Sequence, residues 1–196
     1  MNYLAHAYLS FRQPGLLVGN MISDFVKGKA QFEYERQIQQ GIRLHRQIDK
    51  FTDDHPATAK AKEFFRPDYR LYSGAIVDVL YDHFLANDDS CFGPNELLTF
   101  SFEVYDTLEY HQAQLPLRFT AMLPYMKSQN WLYHYGERDG IYQSLGGLVR
   151  RAAYLTEANT AFRLFEEHYE ELANCYALFF EDVKNYAKAQ VAQLLL

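Results

Sequence analysis

Gly74-Ala75-Ile76-Val77-Asp78-Val79-Leu80-Tyr81-Asp82-His83-Phe84-Leu85 is the stretch on which the reading of this chain turns. Its length and apolar content predict a buried helix. On a helix Asp78 and Asp82, four residues apart, lie about 40° from each other on one face, and His83 projects about 100° further round. Two carboxylates and an imidazole among Ile76, Val77, Val79, Leu80, Phe84 and Leu85 require compensation, because buried like charges repel and lose hydration. A bound metal is the most economical explanation. The alternative is that one Asp caps a neighbouring helix, the other pairs with an Arg, and His83 is a hydrogen-bonded core residue.

A second stretch strengthens the metal reading. Gly41-Ile42-Arg43-Leu44-His45-Arg46-Gln47-Ile48-Asp49 places His45 and Asp49 on one helix face. Two helices, each offering O and N donors at this spacing, form the usual framework of a helical metal site. Asp24 is a lone acid in the apolar segment from Leu16 to Val26. It is read as a helix cap, a partner of Lys27 or a further carboxylate ligand. His6, inside the apolar run from Met1 to Phe11, reads first as a satisfied core or boundary histidine and second as a residue lining the site.

The remaining pattern is helical throughout. Helices are expected over Phe32–Asp53, Ala57–Phe65, Tyr69–Ala86, Glu96–Gln114 and Ile141–Tyr154, with a long one from Glu157 to Leu196. Pro56 fits a first helical turn, with Asp53 or Asp54 as the N-cap. Phe119, Met122, Leu123, Met126, Trp131 and Tyr135 are read as core, with a channel for a long flexible ligand as the alternative. Gly146-Gly147 weakens its helix or admits another backbone. No strand pattern, repeat or linker is evident. The expectation is an all-α, single-domain bundle over residues 1–196, of roughly eight helices.

Composition narrows the function. With 48% hydrophobic and 16% aromatic residues, the chain can bury a full core. No run approaches a membrane span or a signal peptide, so a cytoplasmic protein without a membrane partner is expected. Two distant cysteines, Cys91 and Cys175, make a disulfide scaffold or thiolate zinc site a poor fit. A net charge of −6 argues against nucleic-acid binding. The charge is uneven: residues 1–70 carry +3 and residues 71–196 carry −9, which suits an anionic substrate or acidic partner near the first half. There is no nucleophile elbow, P-loop or dinucleotide fingerprint. Asp24, His45, Asp49, Asp78, Asp82 and His83 therefore remain as metal ligands for Mn²⁺, Mg²⁺, Fe²⁺ or Zn²⁺. Arg43 or Arg46 would hold a phosphate, and phosphoester hydrolysis is the natural reaction.

Four ordered motifs carry a resemblance. They are Met1-Asn2-Tyr3-Leu4-Ala5-His6, Gly19-Asn20-Met21-Ile22-Ser23-Asp24-Phe25-Val26, the His45–Asp49 stretch continuing to Thr52-Asp53, and Asp78 to Phe84. Together they resemble the acyl carrier protein phosphodiesterases. The resemblance implies hydrolysis of the phosphodiester that joins 4′-phosphopantetheine to a serine of holo-acyl carrier protein. It also implies an HD-phosphohydrolase-like helical fold, a preference for Mn²⁺, and an acidic protein partner for the basic first half. Arg43, Arg46, Lys60, Lys62, Arg66 and Arg70 are the candidates for that surface. The adjacent pair here runs Asp82-His83, the reverse of the ordinary HD order. Two other functions compete: an HD-like hydrolase of a nucleotide or other small phosphoester, and a non-catalytic helical module that binds acyl carrier protein.

Overall fold

A computed structural model describes residues 1–152 and 155–194, and its described elements are all helical. In order they are α1 Tyr3–Tyr8, α2 Pro14–Ile22, α3 Arg36–Asp54, α4 Pro56–Glu63, α5 Arg66–Tyr69, α6 Ser73–Ala86, α7 Glu96–Tyr110, α8 Leu117–Ser128, α9 Trp131–His134, α10 Arg138–Arg151, α11 Asn159–Glu167 and α12 Tyr169–Leu194. Short 3₁₀ turns connect several of them. The count exceeds the expected eight because α5 and α9 are single turns and because one expected helix divides.

The helix that divides is the long C-terminal one. It breaks at His168, where α11 ends and α12 begins. Its expected end at Leu196, like the expected end of α10 at Tyr154, lies outside the described residues. The helix expected from Phe32 starts instead at Arg36, after a 3₁₀ segment over Gly28–Glu33. Likewise α6 starts at Ser73, since Arg70 adopts a φ of 46° that an α-helix cannot continue through. The cap of α4 is His55, whose Nδ1 accepts from the Ala57 amide, and neither Asp53 nor Asp54 fills that role.

Helix α6 is central. Its buried residues, among them Ile76, Val77, Val79, Leu80, Tyr81, Phe84 and Leu85, wrap all the way round, which marks a helix enclosed by others. Helix α3 is amphipathic. Ile38, Gly41, Ile42, His45, Ile48 and Thr52 recur at three- and four-residue spacing and are buried, so His45 occupies a core-facing position. The glycines decide how α3 meets α2. A Cβ on Gly19 would sit 2.1 Å from the Ile38 carbonyl oxygen, and one on Gly41 would sit 2.3 Å from that of Leu16. Only with hydrogen at both positions can the two backbones touch. That contact carries the end of α2, with Asn20, up to the buried edge of His45.

Candidate metal centre

The backbone contact at Gly19 and Gly41 leads directly to the first fixed element of the site. The Asn20 carbonyl accepts a hydrogen bond from His45 Nδ1 at 2.7 Å. This sets the tautomer, so that Nε2 is the free basic nitrogen and points outward, an arrangement typical of metal-binding imidazoles. The Asn20 side chain also donates to the carbonyl of His6 (2.8 Å) and to Ser10 Oγ (3.0 Å). One fully buried asparagine thus ties α1 and α3 to α2. The sequence motif that contains Asn20 assigns it no role; the physical signal for one is an amide in an otherwise apolar helix, where a buried polar group needs partners.

Around His45 Nε2 the donors converge. Asp49 Oδ2 lies at 3.0 Å and Asp24 Oδ1 at 3.4 Å. His6 stacks on His45 with ring centroids 3.8 Å apart, and its Nε2 is 3.1 Å from Asp49 Oδ1. One ligand atom from each of His6, His45 and Asp49 falls within 4.8 Å of the others. Both imidazole Nε2 atoms are buried without a hydrogen-bond partner among the described residues. Uncompensated buried nitrogens aimed at a shared carboxylate are the donor set a divalent cation fits. His6 therefore belongs to the cluster, contrary to its first reading as a core histidine.

The electrostatics follow from the same contacts. Burial would lower the His45 pKa, but Asp24 and Asp49 outweigh it and raise the pKa to about 9. Burial and the neighbouring His45 push His6 down to about 4, so it is neutral. Asp49 is destabilised by burial, yet the adjacent His45 and His6 rings hold it well below the usual carboxylate range. Asp24 is lowered chiefly by the adjacent His45. The α-ammonium of Met1 is buried against Asp78 Oδ1 at 2.9 Å and Asp49 Oδ1 at 3.4 Å. Burial would lower its pKa, and the two carboxylates instead hold it up at about 10.

The central helix contributes differently from expectation. Asp78 meets the Met1 ammonium at the edge of the cluster. Asp82 is fully buried and accepts from the Leu4 amide at 2.7 Å and the Ala5 amide at 3.1 Å. These are unpaired N–H groups at the start of α1, so Asp82 caps the helix that carries His6. Burial raises the Asp82 pKa to about 7, with the Leu4 amide opposing. His83 is not brought into the cluster. Its Nδ1 donates to the Tyr135 carbonyl at 2.8 Å and its Nε2 accepts from the Tyr169 hydroxyl at 3.1 Å, which leaves no nitrogen for a ligand.

Above the cluster lies a cleft of about 460 Å³, with Asp24, His45 and Asp49 at its floor and Lys27, Lys29 and Arg46 around it. Arg46 is held by the Val26 carbonyl and Gln31. A second cleft of about 510 Å³ shares Gln31, Phe32 and Arg46 with the first and adds Arg36 and Arg43. These five cations form no ion pair among the described residues, whereas Lys50, Lys62, Lys127 and Arg163 elsewhere each hold a carboxylate. Of the six cations expected to face a partner, Arg43 and Arg46 line these clefts; Lys62 is paired with Asp53.

A family model described as acyl carrier protein phosphodiesterase matches residues 1–183. The chain belongs to the acyl carrier protein phosphodiesterase family. Its similarity to the Yersinia pestis protein named acyl carrier protein phosphodiesterase is 34% identity over 195 residues, covering 96% of this chain and 98% of the relative. A Pectobacterium atrosepticum protein of the same name is 33% identical over 191 residues, covering 97% and 99%. No solved structure matches the chain. No helix among the described residues is long and apolar enough to cross a membrane.

Proposed function

We propose that the protein is a metal-dependent phosphodiesterase that converts holo-acyl carrier protein to the apo form and 4′-phosphopantetheine. The observation that carries the reading is the convergence of His6 Nε2, His45 Nε2 and Asp49 beneath a cleft rimmed by unpaired cations. Family membership supplies the substrate class, since the relatives bear the name of that activity. The His and Asp donors on an all-helical frame also suit a divergent HD-type phosphohydrolase.

His6, His45 and Asp49, with Asp24 beside them, would hold the cation; mixed nitrogen and oxygen donors suit Mn²⁺ among the divalent metals. Such a cation polarises a phosphoryl oxygen and makes water acidic enough to attack at neutral pH. The chain's own groups do the remaining work. Asn20 fixes the His45 ring, and Asp82 fixes α1 and with it His6. Arg46, anchored on its far side by Val26 and Gln31, orients the phosphate in the cleft. Lys27 and Lys29 add positive field at the mouth. The five unpaired cations, with Phe32 67% exposed between the two clefts, give an acidic carrier protein a surface to dock on.

The test is incubation with holo-acyl carrier protein and Mn²⁺, with and without chelator, read by intact-protein mass. Loss of the phosphopantetheine mass, prevented by chelator, is expected. An unchanged mass in a protein that holds metal would replace this reading with a small phosphoester hydrolase. An unchanged mass without metal would replace it with a binding module.

A further inference from the structure

One cavity lies apart from the clefts over His45. It encloses about 120 Å³ and is walled by the N-terminal segment, α9 and α10. Tyr3, Trp131 and Tyr135 give it aromatic faces, and Gln143, Ser144, Arg150 and Arg151 give it polar ones. Among the described residues none of these four polar side chains has a hydrogen-bond or ion-pair partner; Gln143, Arg150 and Arg151 are exposed and Ser144 is half-buried, so their polar groups are free to meet a ligand. Gly147 also lines the cavity. A Cβ there would lie 3.6 Å from the guanidinium groups of both Arg150 and Arg151, so the missing side chain leaves the cavity open beside them. This is a use for the Gly146-Gly147 pair that neither a weakened helix nor a backbone crossing describes.

The cavity and the metal centre share a wall. The Met1 ammonium sits on Asp78 and Asp49, while the next two residues, Asn2 and Tyr3, line the cavity. The N-terminal segment thus borders both the metal centre and the cavity.

We propose that the cavity receives part of the pantetheine arm of the substrate, a linear chain of amides and methylenes ending in sulfur, with the rest of the arm lying in its opening. This deepens the phosphodiesterase reading and rests on it. Amide groups need donors and acceptors set between apolar walls, which is how small-ligand sites are generally built. Gln143 and Ser144 offer both roles, and the two arginines donate to carbonyl oxygens. Trp131 and Tyr3 cover the methylenes. A free phosphate would make no use of the three aromatic walls, and a bare acyl tail none of the amide, hydroxyl and guanidinium groups.

Trp131 is the chain's single tryptophan, so tryptophan emission, excited apart from the 16 tyrosines, reports on this cavity. The experiment titrates the purified protein with pantetheine and, separately, with inorganic phosphate. A saturable change in emission with pantetheine, absent with phosphate, is expected. Gly147→Leu should weaken that binding and raise KM for holo-acyl carrier protein by about tenfold each, with circular dichroism checking the fold. Gln143→Leu is the second variant should Gly147→Leu fail to fold, with a loss of pantetheine affinity expected there too. The proposal is overturned if the enzyme hydrolyses holo-acyl carrier protein while Trp131 ignores pantetheine, or if phosphate alone reproduces the response. Pantetheine binding by a protein inert toward holo-acyl carrier protein would overturn the phosphodiesterase reading and leave the cavity's ligand in place.

Discussion

Two helices of this protein carry a carboxylate and an imidazole in similar apolar settings, and they put them to different uses. On α3, His45 and Asp49 stand at the edge of the core beneath an open cleft, with Nε2 of His45 and both oxygens of Asp49 directed at one another and at His6. On α6, Asp82 and His83 lie deep among other helices, with every strong donor or acceptor already engaged by backbone or by Tyr169. His45 and Asp49 are four residues apart and Asp82 and His83 adjacent, but spacing is not what separates their uses. What differs is access, because α3 is amphipathic and meets solvent along one side, while α6 is enclosed all round. A polar group in an enclosed helix must be satisfied locally. One at the rim of a cleft can stay unsatisfied until a ligand arrives.

The sharpest way to break this comparison is to remove one donor from each helix. Asp49→Ala should abolish stoichiometric metal and lower turnover of holo-acyl carrier protein by about 10³-fold or more, a loss typical of a group acting on the reacting atoms. His83→Ala should keep the metal stoichiometry and instead cost about 2–4 kcal/mol of stability through the lost packing and the stranded Tyr135 carbonyl. Metal analysis alongside urea unfolding reads both. If His83→Ala loses its metal while remaining folded, the distinction between the two helices is wrong.

The same contrast explains what could be read from sequence. The all-α fold was legible because apolar periodicity sets helix type, and α6 was legible as buried because its apolar residues fill every face. The His45–Asp49 pair was legible from its spacing on an amphipathic helix. His6 was not, since a lone imidazole in an apolar run looks the same whether it packs or ligates; only its stacking on His45 decides. Asn20 escaped because its decisive contact to His45 is made by a backbone carbonyl, which every residue has. The break at His168 escaped because no Gly or Pro marks it. Asp82 was weighed as a cap, but its client, α1, lies far away in sequence.

That capping role gives a finer test. Asp82→Asn leaves one oxygen to face two amides, with its NH₂ group opposed to the other. Loss of a good cap costs about 1–2 kcal/mol. Since α1 carries His6, metal affinity should fall as well, by about 10–100-fold, the range for residues that hold a ligand in place. Isothermal titration with Mn²⁺ separates this from Asp49→Ala, where binding is lost outright. Unchanged affinity in Asp82→Asn would show that α1 holds His6 without help from α6.

The smallest effect is a pH dependence that belongs to α6 alone. Burial lowers the His83 pKa below 6.5, with the Tyr135 carbonyl opposing and Arg138 adding to the shift. Folding therefore favours the neutral ring. Its contribution is complete above the unfolded value of about 6.5 and is lost as pH falls toward the lower folded value. The stability gap between the wild type and His83→Ala should accordingly narrow from pH 7.5 to pH 5. The slope can be no steeper than about 1.4 kcal/mol per pH unit, the limit for one proton. Asp24, Asp49 and His45 also titrate, but they do so in both proteins, and the difference isolates His83. A gap that widens on acidification would mean that His83 gains a proton on folding. A carboxylate would then have to face it, and α6 would resemble α3 after all.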